Sequence, residues 1–133
     1  MTKNLFLGTL LSFGLAACGD TTPPGGATST ASLSAVGTSG ESGTAILTDK
    51  GNNMTLVSAT ASGGTDTGVQ SAHIHVGACG SNGAVLVALN NVQGGVSSTT
   101  VNFALSMLTG GKYYINVHNS INAGTIQACG LIP

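Results

Sequence analysis

Residues 71–89 read SAHIHVGACGSNGAVLVAL, and their pattern decides the fold. Successive side chains of a β-strand point to opposite faces, so His73 and His75 emerge together on one side and Ile74 on the other. Gly77, Gly80 and Gly83 then break the strand, and AVLVAL at 84–89 resumes as the next. The pattern extends both ways along the chain. Residues 44–48 and 54–60 flank Lys50-Gly51-Asn52-Asn53 as a hairpin, and GGTDTG follows as a loop. Further short runs are TTVNFALSML at 99–108, KYYINVHN at 112–119 and GTIQACGLI at 124–132. About seven strands, with turns every 8 to 12 residues or so, predict an antiparallel sandwich or Greek-key barrel. In 97–108, Phe103, Met107 and Leu108 fall near helical spacing, so a brief helical turn is the alternative there.

Composition narrows the function. Charged residues are 5% of the chain against an ordinary hydrophobic 41%, so solubility rests on Ser, Thr, Asn and Gly, as is common in exported surface proteins. The basic residues are Lys3, Lys50 and Lys112, with no arginine, so no patch exists to neutralise a phosphate backbone and nucleic acid is excluded as a partner. The acids, Asp20, Glu41, Asp49 and Asp66, lie far apart in sequence, which argues against paired-carboxylate chemistry of the glycosidase kind.

The N-terminus, MTKNLFLGTLLSFGLAACGD, carries one early lysine and an apolar run from Leu5 to Leu15. That run is too short to span a bilayer but suits the core of a signal peptide, assigned to residues 1–17. Leu15-Ala16-Ala17-Cys18 resembles the bacterial lipobox, in which small residues precede a cysteine that is lipidated and becomes N-terminal. Cys18 is thus the expected anchor to the bacterial cell envelope, several acyl chains together holding a protein firmly to a bilayer. The competing reading is an ordinary cleavage near Ala17 with Cys18 incidental. Residues 18–42, rich in Gly, Ser, Thr and Pro, read as a flexible tether whose span is roughly 25 to 30 Å. A weak alternation in ASLSAV, 31–36, offers a first strand instead. The folded domain is expected over 43–133, room for one domain.

Cys79 and Cys129 remain once Cys18 is set aside. In an exported chain they are expected to form a disulfide, closing a loop whose loss of unfolded-state entropy is worth roughly 4 kcal/mol. The alternative, a cysteine thiolate bound to copper as in blue-copper proteins, lacks the His and Met that follow the cysteine there, since only residues 130–133 follow Cys129.

His73 and His75 share a strand face, and His118 lies in another strand that a sandwich could bring alongside. Three neutral imidazoles suit copper or zinc and leave a coordination position open. Spacing alone equally allows histidines on a polar strand face that bind nothing. Met54 is either a soft fourth ligand for Cu(I) or core filling, and Tyr113 and Tyr114 either a binding platform or the core and rim of a strand.

HIHVGACGSNGAVLVAL together with YYINVHNSINAGTIQ resembles the chordin-type (CHRD) domain, over roughly residues 44–133. Gly77, Gly80 and Gly83 fall at its turn glycines, and Asn116, His118, Asn122 and Gly124 match its second block. CHRD domains are similar in turn to copper/zinc superoxide dismutases, whose closing cysteine segment ACGLI resembles. The resemblance implies an immunoglobulin-like Greek-key β-sandwich, His73, His75 and His118 as copper ligands, and Cys79 paired with Cys129.

The departures limit what carries over. Dismutases need further histidines and an aspartate for zinc, and an arginine near the final cysteine; here there are three histidines in all and Ile126 and Gln127 stand in the arginine's region. The dismutase zinc site is therefore absent, and superoxide would approach without electrostatic steering. Asn116, Asn119 or backbone carbonyls would have to orient the imidazoles. A cupin needs a glutamate soon after the His-x-His, and none occurs after Glu41; carbonic anhydrases need a far longer chain. The expectation is a lipid-anchored domain binding one copper ion, with zinc possible instead, for capture, buffering or redox protection. Its rivals are a copper-only dismutase-like enzyme and a metal-free adhesive domain, a role that CHRD occurrence in protein-binding proteins suggests.

Overall fold

The computed structural model describes residues 26–133. The signal peptide, Cys18 and the tether up to residue 25 lie outside the described residues. The strands are β1 (Thr28–Ala35), β2 (Ser42–Gly51), β3 (Met54–Ser62), β4 (Gln70–Val76), β5 (Val85–Val92), β6 (Val96–Val101), β7 (Tyr113–His118) and β8 (Ile126–Leu131), with one helical turn, α1 (Leu105–Leu108), between β6 and β7. Alternation drives them. In β3, Thr55, Val57, Ala59 and Ala61 turn inward while their neighbours turn out. The β2–β3 turn is made by Asn52 and Asn53, both at positive φ (53° and 57°), the backbone that a two-residue hairpin with native twist requires.

The strand order is β5-β4-β7-β8-β1-β2-β3-β6, with every pairing antiparallel. One layer is β1-β2-β3-β6 and the other β8-β7-β4-β5. Between them β1 is shared: residues 28–33 pair with β2, whereas Ser34 and Ala35 pair with Cys129 and Ala128 of β8. The two outermost strands are also consecutive in the chain. A turn bridged by Gln93 and Val96 joins β5 to β6, and Asn90 laces them by donating its N–H to Thr99 Oγ1 at 2.7 Å and accepting from Ser97 Oγ at 2.6 Å. Strands β4, β5 and β6 with β7 returning beside β4 form a Greek key, so the molecule is an all-β sandwich nearly closed into a barrel. Its core holds Leu33, Leu47 and Val57 from one layer and Ile74, Ile115, Val117 and Ala128 from the other.

The folded domain begins well before residue 43, where the sequence reading placed its start. Residues 28–42, read as tether, form β1 and the turn into β2, and Ala31 and Leu33 are fully in the core. The strand was hard to see because only its inward positions are apolar and the outward ones are Ser and Thr, the same residues that mark a linker. The expected strand at 99–108 is likewise shifted. β6 runs from Val96 to Val101, and the chain then bends into α1, where Leu105 and Leu108, three apart, are the buried pair and Met107 is exposed.

Candidate metal centre

The site is built on the outer face of the second layer. Ile74 points into the core, so strand alternation sends His73 and His75 out; on β7, Ile115 and Val117 point in, so Tyr114, Asn116 and His118 point out. Because β4 and β7 are hydrogen-bonded neighbours, His73 stands opposite Asn116 and His75 opposite Tyr114. His118 follows at the end of β7, where a register shift after Val117 sets it opposite Ile126 of β8. Ring centroids of His73 and His118 are 5.0 Å apart, of His73 and His75 5.7 Å, and of His75 and His118 6.1 Å. One ring nitrogen from each histidine lies within 4.8 Å of those from the other two, and among the described residues this is the one group of three or more such donors so gathered.

The three imidazoles are buried or half-buried, yet several of their nitrogens have no partner: His73 Nδ1, His75 Nε2 and both nitrogens of His118. Orphaned polar atoms are rare inside proteins because each forfeits its water without a replacement, and a cluster of them around a common point asks for a ligand. Burial, reinforced by the neighbouring His118 and His75, holds His73 below the ordinary imidazole range. His118 is lowered by burial first and by His75 as well, while the nearby Ala123 backbone pulls the other way. Both groups therefore keep unprotonated nitrogens near neutral pH. The donor set fits a borderline cation such as copper or zinc, and the fit rests on those unpartnered nitrogens.

A short loop covers one side of the site. Cys79 and Cys129 form the disulfide, Cα–Cα 5.9 Å across a separation of 50 residues, and Cys129 pairs with Asn116 on the β7–β8 ladder. The bond thus ties the loop between β4 and β5 to the strand beside the histidines. From that loop the Gly83 carbonyl accepts a 2.8 Å hydrogen bond from His75 Nδ1. Gly83 cannot be larger: a Cβ there would run into the Val76 carbonyl oxygen. On the other side Asp66, lowered in pKa chiefly by the Ser120 hydroxyl, accepts from Ser120 Oγ and Ser120 N–H, both at 2.6 Å. That latch fixes the loop two residues beyond His118.

The sequence-derived ligand set, His73, His75 and His118, is brought together. Met54 is not part of it, since it opens β3 in the other layer. Of the expected orienting groups, a backbone carbonyl serves His75, whereas Asn119 Oδ1 instead accepts from the N–H groups of Ile121 and Asn122, and Asn116 Oδ1, fully buried, has no partner. Asp66 escaped the reading because only its Asx turn onto Gly68 marks it locally, and its bond to Ser120 spans 54 residues.

The fold and the site together define a small Greek-key sandwich that displays a histidine trio on one outer face. Residues 25–126 match the family model of the CHRD domain, and the chain belongs to that family. The match begins just before β1, in agreement with the earlier domain boundary. No curated protein matches the chain.

Proposed function

We propose that the domain binds one copper ion through His73, His75 and His118 and serves in copper capture or buffering at a bacterial envelope, held there by a lipid on Cys18. The observation that carries the reading is the convergence of three mostly buried imidazoles, each with at least one buried nitrogen that lacks a partner. A bound ion would accept those lone pairs and supply Lewis acidity and, if copper, one-electron redox capacity. Divalent copper outranks zinc at most nitrogen sites, which favours it where both are present. The envelope location rests on the signal-like run and the Leu15-Ala16-Ala17-Cys18 motif. The resemblance to dismutases argues against a dismutase role, because Ile126 and Gln127 stand in the region where those enzymes carry a steering arginine.

The test is a Cu(II) titration of the purified, oxidised protein followed by electron paramagnetic resonance, beside a variant with all three histidines changed to alanine. One equivalent of copper with nitrogen hyperfine structure, absent from the variant, is expected. Equal weak signals from both would overturn the assignment. Tight zinc with no preference for copper would change the metal, and labelling with a radioactive fatty acid, lost in Cys18→Ser, checks the anchor.

A further inference from the structure

Tyr114 is almost completely buried, and its ring lies nearly parallel to His75, 5.1 Å between centroids and 19° between planes. Its hydroxyl oxygen accepts the N–H of Gly83 at 3.0 Å. The carbonyl of the same glycine accepts from His75 Nδ1 at 2.8 Å. A carbonyl oxygen can only accept, so Nδ1 carries the proton and Nε2 keeps its lone pair; Nε2 is the nitrogen left buried and unpartnered. Free histidine in water leans to the opposite tautomer, with the proton on Nε2. Something in the fold must therefore hold the reversed form, and the Gly83 carbonyl does so only while the backbone on both sides of the Gly83 α-carbon is fixed.

Three contacts fix it: the Tyr114 hydroxyl on its N–H, the Val76 carbonyl against its α-carbon, and the neighbouring bond from Val76 N–H to the Ala84 carbonyl at 2.9 Å. The last two involve backbone alone. The first is the one side chain in the set.

We propose that Tyr114 is a positioning residue: through Gly83 it sets the tautomer and ring orientation of His75, so that metal affinity depends on a phenol hydroxyl that is not itself a ligand. The inference rests on the three-histidine reading above. Partners one shell out from a metal ligand are worth about 10- to 100-fold in affinity. Tyr114→Phe keeps the ring against His75 and removes only the hydroxyl, which leaves the Gly83 N–H without its acceptor.

The experiment has two arms. In the metal-free protein at mildly alkaline pH, long-range 15N–1H spectra report the tautomer of each histidine. His75 is expected in the Nδ1–H form in the natural chain and as a mixture or the Nε2–H form in Tyr114→Phe. In the second arm, Cu(II) affinity is expected to fall about 10- to 100-fold in Tyr114→Phe. A merely structural tyrosine would shift the unfolding midpoint and leave the tautomer alone. The proposal is overturned if His75 carries its proton on Nε2 in the natural chain, or if the variant keeps both tautomer and affinity. Should the natural chain bind no copper, the metal assignment fails, and the tautomer arm still decides the role of Tyr114. Should Tyr114→Phe fail to fold, the natural chain's His75 tautomer and slow exchange of the Gly83 amide decide it: an Nε2–H form or a freely exchanging amide overturns the proposal.

Discussion

Breaking the Cys79–Cys129 bond is the perturbation whose size follows most directly from the structure. The bond closes a loop of 50 residues. In the chain-entropy relation, such a loop removes about 14 cal/mol/K from the unfolded state, or about 4 kcal/mol at room temperature. A small domain has a net stability of about 5 to 15 kcal/mol, so the reduced protein should retain the fold, with little to spare if it starts near the lower end. A loss of about 4 kcal/mol raises the unfolded-to-folded ratio roughly a thousandfold. With a urea dependence of about 1 to 3 kcal/mol per molar, the midpoint should fall by about 1 to 4 M. The assay is urea denaturation of the oxidised protein and of a Cys79→Ser, Cys129→Ser variant, followed by circular dichroism with the urea slope fitted for each. A loss below about 1 kcal/mol with equal slopes would refute the reasoning, because the loop-closure entropy would then be missing. An altered slope would place the difference in residual structure of the unfolded chain instead.

Other consequences can be measured in the same way. Leu33→Ala should cost about 2 to 5 kcal/mol, as expected of a core leucine, while Val36→Ala, 38% exposed and just past β1, should cost little; equal small effects would contradict the placement of β1 in the core. The metal-free protein should lose stability as pH falls below about 6.5, because His73 and His118 resist protonation when folded and the unfolded chain takes up the protons first. Above that value both states are neutral and the slope should vanish. The triple His→Ala variant should lack this slope, and urea midpoints between about pH 8 and pH 5 would show it. Gly83→Ala should force the loop away from Val76 and weaken copper binding more than it lowers the unfolding midpoint, measured by titration and denaturation side by side.

The histidine pair was legible because the information is local. A period of two puts His73 and His75 on one face whatever the strand pairs with, and Ile74, the apolar residue between them, says which face is the core. The all-β class followed from many short runs bounded by Gly and Asn. β1 showed only as the weak alternation of residues 31–36: its outward Ser and Thr carry the composition of a linker, and pairing with β2 and β8 makes it a strand. The support around the site was hidden for a related reason. Tyr114 reaches Gly83 across a separation of 31 residues and Ser120 reaches Asp66 across 54, distances that no local pattern reports.

The sharing of β1 between the two layers also sets an order of events. Residues 34 and 35 find their partners only in β8, more than ninety positions later in the chain. In a growing chain the N-terminal strand can form its hairpin with β2 early, but the seam between the layers stays open until residues 126–131 are available. Such distant pairings place folding in the slow range for small domains, about milliseconds to seconds. The disulfide obeys the same timetable, since Cys129 lies on the strand that closes the seam. Oxidation and closure of the sandwich therefore draw on the same late segment, and until it is available Cys79 lacks the partner it has in the fold.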